Sequence, residues 1–234
     1  MAETVTALKS GYVRVNCYAG WLAKTMPDGF SYGGNQGWFG REDGYIPPLG
    51  CGLISCADVL LYKSGRTKLD RDEYMTFVRE LGAKRLKVRR KLGLNGLSMA
   101  RGMRKLLKER GMRSKVCWCF SKRKMLPRIK EMLNNDTPVT IAAGPQLLFK
   151  KKRPSGVSFY VSDGKGGYVL PGWRSGLVKD HYVTVTAVCE YGDRTMLEIS
   201  SWGERYYIDW AEYTAYINLF GTFFSNILYI KSKQ

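Results

Sequence analysis

Gly50-Cys51-Gly52-Leu53-Ile54-Ser55-Cys56-Ala57-Asp58-Val59-Leu60-Leu61-Tyr62-Lys63-Ser64 is the stretch on which the fold turns. Its apolar residues cover nearly the whole helical circumference, and only Asp58 is charged before Lys63. A helix that is apolar all round belongs in a core, not on a surface. Gly65 suits its C-terminal stop. Cys51 stands at the start, where unpaired amides and the helix dipole favour thiolate over thiol. The glycines on either side are expected to let a substrate backbone approach closely. Cys56 lies five residues in and should face the core.

Upstream, residues 11–50 are rich in Gly, Pro and Tyr and read mostly as loop with one short strand. Downstream, Asp70 and Glu73 have capping-box spacing, which predicts a helix over 71–81 ended by Gly82. Asn95 can cap a second, basic helix that ends near Gly111. A strand at 115–120 precedes a helix at 125–134, with Pro127 in its first turn. After Asp136 the pattern changes to strands: 138–142, 157–161, 168–170, then His181 to Cys189 and its hairpin partner Thr195 to Ser200. Arg205 to Ile208 reads as another strand. Asp209 can cap a helix over 210–219, before a final strand over 222–230. Helices first and an antiparallel sheet second predict an α+β fold. One domain spans 1–234, with a helical lobe at about 51–134 and a sheet lobe at about 136–232.

The formal net charge is +18, concentrated at 84–91, 101–115, 122–130 and 150–153. Such an excess attracts nucleic acid, anionic membranes or acidic partners. Aromatic residues are sparse within these runs, which weakens a base-stacking platform. The six cysteines do not have the spacing of a disulfide framework, so reduced thiols are expected. Cys117 and Cys119 form a Cys-x-Cys pair with no second ligand pair of zinc spacing, so a buried strand is the expectation there. No metal or organic cofactor is expected. No stretch approaches the length of a membrane span, and the first residues lack the order of a secretory signal. A cytoplasmic protein with no transmembrane segment is the expectation.

His181 is the only histidine in the chain. A nucleophilic thiol needs a base and an oxyanion stabiliser, and His181 is the one imidazole available. Gln36, in Asn35-Gln36-Gly37-Trp38, can donate its side-chain amide to an oxyanion, with the Cys51 backbone amide as a second donor. Ser200, in Ser200-Ser201-Trp202-Gly203, ends the strand that hairpins against the His181 strand, where a polar residue can orient the imidazole.

This order resembles the papain-like cysteine peptidases, and within them the bacterial peptidase C39-like branch. The helix start Gly50-Cys51-Gly52-Leu53-Ile54-Ser55-Cys56-Ala57 is similar to that family's Gly-Cys-Gly-Pro-x-Ser-x-Ala. His181-Tyr182-Val183-Thr184-Val185 resembles its histidine strand, and Ser200-Ser201-Trp202-Gly203 stands where the family has Asp-Pro-Trp-Gly. Asn134-Asn135-Asp136-Thr137-Pro138-Val139 resembles its turn into a central strand. The resemblance implies a papain-like fold, in which a buried helix carrying Cys51 packs on an antiparallel sheet carrying His181. It also implies a thiol hydrolase that cleaves peptide bonds in a peptide or protein substrate. Two departures stand out: fourteen residues separate Gln36 from Cys51 where the family has about five, and Ser200 replaces an acidic or amide residue. Glu198 shares the strand parity of Ser200 and is a second candidate behind the ring, whereas Asp180 adjoins His181 but should point to the opposite face.

The expected enzyme is a cysteine peptidase with Cys51 as nucleophile, His181 as general base, Gln36 as oxyanion donor and Ser200 as third member. Capture of the thioester by an amine would make it a transamidase. The alternative is a weak or inactive papain-like binding module that uses its basic surface for nucleic acid, anionic membrane or acidic protein.

Overall fold

The computed structural model describes residues 4–17, 28–90, 93–119, 121–144, 156–165, 167–171, 177–220 and 225–232. Its strands are β1 (Thr4–Ala7), β2 (Arg14–Asn16), β3 (Lys68–Asp70), β4 (Ser114–Trp118), β5 (Val139–Ala143), β6 (Val161–Ser162), β7 (Tyr168–Val169), β8 (His181–Tyr191), β9 (Arg194–Ser201), β10 (Glu204–Asp209) and β11 (Leu228–Ser232). The helices are α1 (Ile46–Leu49), α2 (Cys51–Lys63), α3 (Arg71–Lys84), α4 (Gly96–Glu109), α5 (Met125–Asn134) and α6 (Trp210–Phe220). The class is α+β with an antiparallel main sheet. None of the described helices is long and apolar enough to cross a membrane.

The sheet is built around β8, whose run of β-branched residues suits a strand buried on both faces. On one edge it pairs with β9, which pairs in turn with β10. Its other edge is shared: β5 takes the first half, Ala143 opposite His181, and β1 takes the second, Thr4 opposite Glu190. A β-bulge between Val185 and Ala187 shifts the β8–β9 register by one residue. It lies beyond the pairs nearest His181 and leaves Thr184 opposite Ser200.

Helix α2 crosses this sheet with nearly every side chain buried, as its unbroken apolar pattern requires. Its contact includes a polar seam, in which the Ser55 hydroxyl lies 2.8 Å from Thr140 Oγ1 on β5 and 2.7 Å from Thr184 Oγ1 on β8. Burying three hydroxyls is tolerable because they satisfy one another. Thr184 therefore faces α2, and this fixes the direction of its neighbours from His181 to Val185, ahead of the bulge, by alternation.

The remaining elements depart from the sequence expectations at their ends. Helix α3 runs on through Gly82 to Lys84. An ideal Cβ on Gly82 would lie 3.2 Å from Leu53 on α2, so this glycine serves helix packing rather than helix termination. Asp70 precedes α3 but makes no side-chain capping bond; it accepts instead from the Asn16 amide at 3.3 Å. Asn95 does cap α4, accepting from the Ser98 amide at 2.9 Å. Asp209 caps α6 through the Ala211 amide at 2.8 Å. Strand β1 and the short helix α1 were not anticipated.

Strand β4, within the helical half of the sequence, pairs along its length with β11 at the C-terminal end. One buried cluster runs continuously from Tyr12 through α2 and α4 to Ile230. The basic run 150–153 and the beginning of the final strand expected at 222–230 fall outside the described residues.

Candidate active site

Cys51 opens α2, half-buried, while Cys56 is fully buried one turn and a half further on. The bracketing glycines do not open a path for substrate. A Cβ on Gly52 would fall 2.9 Å from the Met99 methyl and 3.1 Å from the Tyr182 ring. A Cβ on Gly50 would meet Ile46, including its side chain at 2.9 Å. Both glycines are there because α1, α4 and β8 press against the first turn of α2.

That crowding also decides the state of the thiol. Burial pushes the Cys51 thiol up, and the Asp180 carboxylate adds to the rise. The backbone amides of Tyr182, Gly52 and Cys51 itself pull the other way without overcoming it. The helix start therefore contributes as expected, but desolvation is larger, and the resting group is a thiol rather than the thiolate anticipated from the sequence. Cys56 is pushed up much further, by burial and then by Asp58. Burial and then Glu198 push Cys189 to about 11.

One small cavity gathers Cys51, Gln36, His181, Ser200, Ser201 and Trp202, and Asp58 also lines it. Its volume is 20 Å³, room for about one water. Elements far apart in sequence supply its walls: α2, the strand beginning at β8, the end of β9 and the loop before α1.

His181 is buried at the head of β8 and stacks on the Trp202 indole, ring centroids 4.3 Å apart and planes 15° from parallel. Its Nε2 lies 2.8 Å from the hydroxyl of Ser201, not of Ser200. The reason is the pleat. Ser200 sits opposite Thr184, on the face turned to α2, and its hydroxyl donates to the Tyr32 carbonyl at 2.7 Å. Ser201, the next residue, points to the other face, where the imidazole lies. The position behind the ring belongs to Ser201, and the expectation of Ser200 there is corrected by one residue. Glu198 is engaged elsewhere, accepting from the Tyr32 and Thr186 hydroxyls at 2.8 Å each.

Gln36 begins a 3-10 turn, Gln36–Trp38, held by the Asn35 side chain. Its Nε2 donates to the Pro47 carbonyl at 2.9 Å. The fourteen residues from 37 to 50 fold into a second 3-10 turn and α1, which return the chain so that Pro47, near Cys51, anchors the amide. The long spacing is thus absorbed by local structure. A primary amide has two N–H donors; one goes to Pro47, and no acceptor among the described residues takes the other.

Asp58 is the residue whose role the sequence did not reveal. Its Oδ1 accepts from Tyr74 Oη at 2.6 Å, and its Oδ2 from Tyr12 Oη at 3.0 Å and the Gly34 amide at 3.1 Å. Burial raises its carboxyl from the ordinary 3.8 to about 6, against the three hydrogen bonds that pull it down. A lone acid in an otherwise apolar helix was the available signal. It ties the loop carrying Gln36 to the helix carrying Cys51. The Asn35 side chain, donating to the Trp202 carbonyl at 2.9 Å, ties the same loop to the end of β9.

Among the described residues no group of three His, Cys, Asp or Glu side chains converges as metal ligands would. Cys119 of the Cys-x-Cys pair is buried and accepts from the Arg128 guanidinium. Comparison with protein-family models, with curated proteins and with solved structures finds no match to this chain.

Proposed function

We propose that the protein is a cysteine peptidase of papain-like fold that cleaves peptide bonds through Cys51 and His181. The supporting observation is the convergence, in one cavity, of a helix-start thiol, the only imidazole of the chain and a primary amide whose second N–H meets no acceptor among the described residues. These are the three groups that acyl transfer through sulfur needs.

Because Cys51 rests as a thiol, His181 acts as a general base at the moment of attack. The sulfur bonds to the carbonyl carbon, its proton passes to the imidazole, and the carbonyl electrons move onto oxygen. Gln36 Nε2–H and the Cys51 amide donate to that oxyanion; an amide at the first position of a helix has no intrahelical acceptor. The tetrahedral centre collapses, the C–N bond breaks, and the imidazolium protonates the departing amine. Water then attacks the thioester, giving its proton to His181, and the C–S bond breaks with the proton returning to sulfur. Ser201 accepts a hydrogen bond from the ring and holds its orientation. A hydroxyl carries no charge to stabilise imidazolium, so this arrangement is a dyad with a neutral positioning residue.

The test uses a mixed peptide library with products read by mass spectrometry. Hydrolysis should vanish in Cys51→Ala. In Ser201→Ala kcat/KM should fall about 5- to 10-fold, the loss of roughly 1 kcal/mol of hydrogen bonding, whereas Ser200→Ala should change it less than about twofold. Iodoacetamide should modify Cys51 with a rate that climbs through and beyond the ordinary thiol range. Cys117, the other half-buried thiol, is the control, since the remaining four are buried. Hydrolysis that survives Cys51→Ala, or no hydrolysis by the wild-type chain, overturns the proposal.

A further inference from the structure

A second cavity, of 180 Å³, lies between α4 and the segment that follows α3. It shares no lining residue with the Cys51 cavity. The segment contributes Arg85, Lys87 and Arg89, spaced by two, while the intervening Leu86 and Val88 turn to the core. Helix α4 contributes Arg101 and Lys105, one turn apart on one face. Gly102 between them allows the close approach. A Cβ there would fall 2.5 Å from the Leu86 side chain and 2.9 Å from the Arg85 carbonyl. The backbones of Arg89 and Gly93 exchange two hydrogen bonds at 2.9 Å, closing the loop at the cavity rim.

Five cations therefore line the cavity, and no acidic or aromatic side chain does among the described residues. Arg85 is engaged by Glu109, at 2.6 Å. Lys87, Arg89, Arg101 and Lys105 have no ion-pair partner among the described residues. Four unneutralised like charges around one concavity make it a focus of positive potential that attracts an anion. Guanidinium forks match the oxygens of phosphate. The volume, room for roughly a dozen waters, suits a compact group carrying several phosphate oxygens. No aromatic ring among the described lining residues offers a base a stacking platform. We infer that this cavity binds a compact oligophosphate, recognised through its phosphate chain alone.

Sodium tripolyphosphate titrated into the full chain by calorimetry, at constant ionic strength, should give one saturable site. Sulfate at the same ionic strength should not displace it. The doubly substituted Arg101→Gln, Lys105→Gln chain keeps good helix formers. It should bind at least about tenfold more weakly with an unchanged ligand-free melting temperature. Lys87→Gln, at an exposed position, should weaken binding in the same direction and guards against misfolding of the double variant. ATP should bind within a fewfold of tripolyphosphate, and Cys51→Ala should bind like the wild type, which separates this site from the proposed peptidase. Non-saturable binding, binding untouched by these variants, a nucleoside-dependent gain of tenfold or more, or length-dependent RNA binding in its place overturns the inference.

Discussion

Asp58 has two consequences that belong to a single side chain. It holds Gly34 and two tyrosines around a carboxyl that the core makes hard to ionise. Its folded value, about 6, is above the ordinary 3.8, so between these pH values the folded chain binds more protons than the unfolded one. Stability attributable to this group is present below about pH 4 and is lost as pH rises through about 6. Two pH units correspond to about 3 kcal/mol. In Asp58→Asn this dependence disappears, because the amide does not titrate and the tyrosine hydroxyls can rotate to accept from it. Urea denaturation at pH 4 and pH 7 measures it: wild type should lose about 2 kcal/mol relative to Asp58→Asn across that interval, the remainder being lost already below pH 4. An unchanged difference would mean that Asp58 is not the titrating group. The lesson of Ser200 and Ser201 is at the same scale. The sequence points to a strand-end hydroxyl behind His181, but which of two adjacent serines depends on which face of β9 meets the imidazole.

Among the elements, helix starts show how a pattern can be present without its hydrogen bond. Asn95 and Asp70 both precede helices with extended backbone, and only Asn95 accepts from its helix. Asn95→Ala should lower stability by about 1 kcal/mol. Asp70→Ala should lower it by only about 0.3 to 0.5 kcal/mol, the part that acts through the helix dipole. Urea midpoints of the two variants provide the comparison, and equal losses would mean that Asp70 caps α3 in solution. The capping-box spacing was legible, but Asn16 on β2 competes for the Asp70 carboxylate, and that neighbour is 54 residues away. Helix α2, by contrast, was readable almost to the residue. So were β8 and β9, because a continuous apolar run or alternation leaves a chain few alternatives, and α5, where apolar residues recur at helical spacing and Pro127 sits in the first turn. Strand β1 was not legible, since four residues of mixed character become a strand only by pairing with Ala187 to Glu190.

At the scale of the molecule, one core joins the helical and sheet halves, and β11 reaches back to pair with β4. Unfolding should therefore be a single cooperative transition, coincident by tryptophan fluorescence and far-UV circular dichroism. Two separated transitions would mean that the halves fold independently. The amino-acid sequence by itself determined the α+β class, the buried helix beginning at Cys51, the strand headed by the one histidine, and the clusters of basic charge. Those features follow from local periodicity and composition, which need no partner. Only the tertiary structure decided that desolvation outweighs the helix start at Cys51, that Ser201 rather than Ser200 meets His181, and that Pro47 anchors Gln36. It alone gathered two basic segments around Gly102 into a cavity. Each of these depends on distances between residues remote in the chain, and hydrogen bonds and desolvation are set by those distances rather than by order along the sequence.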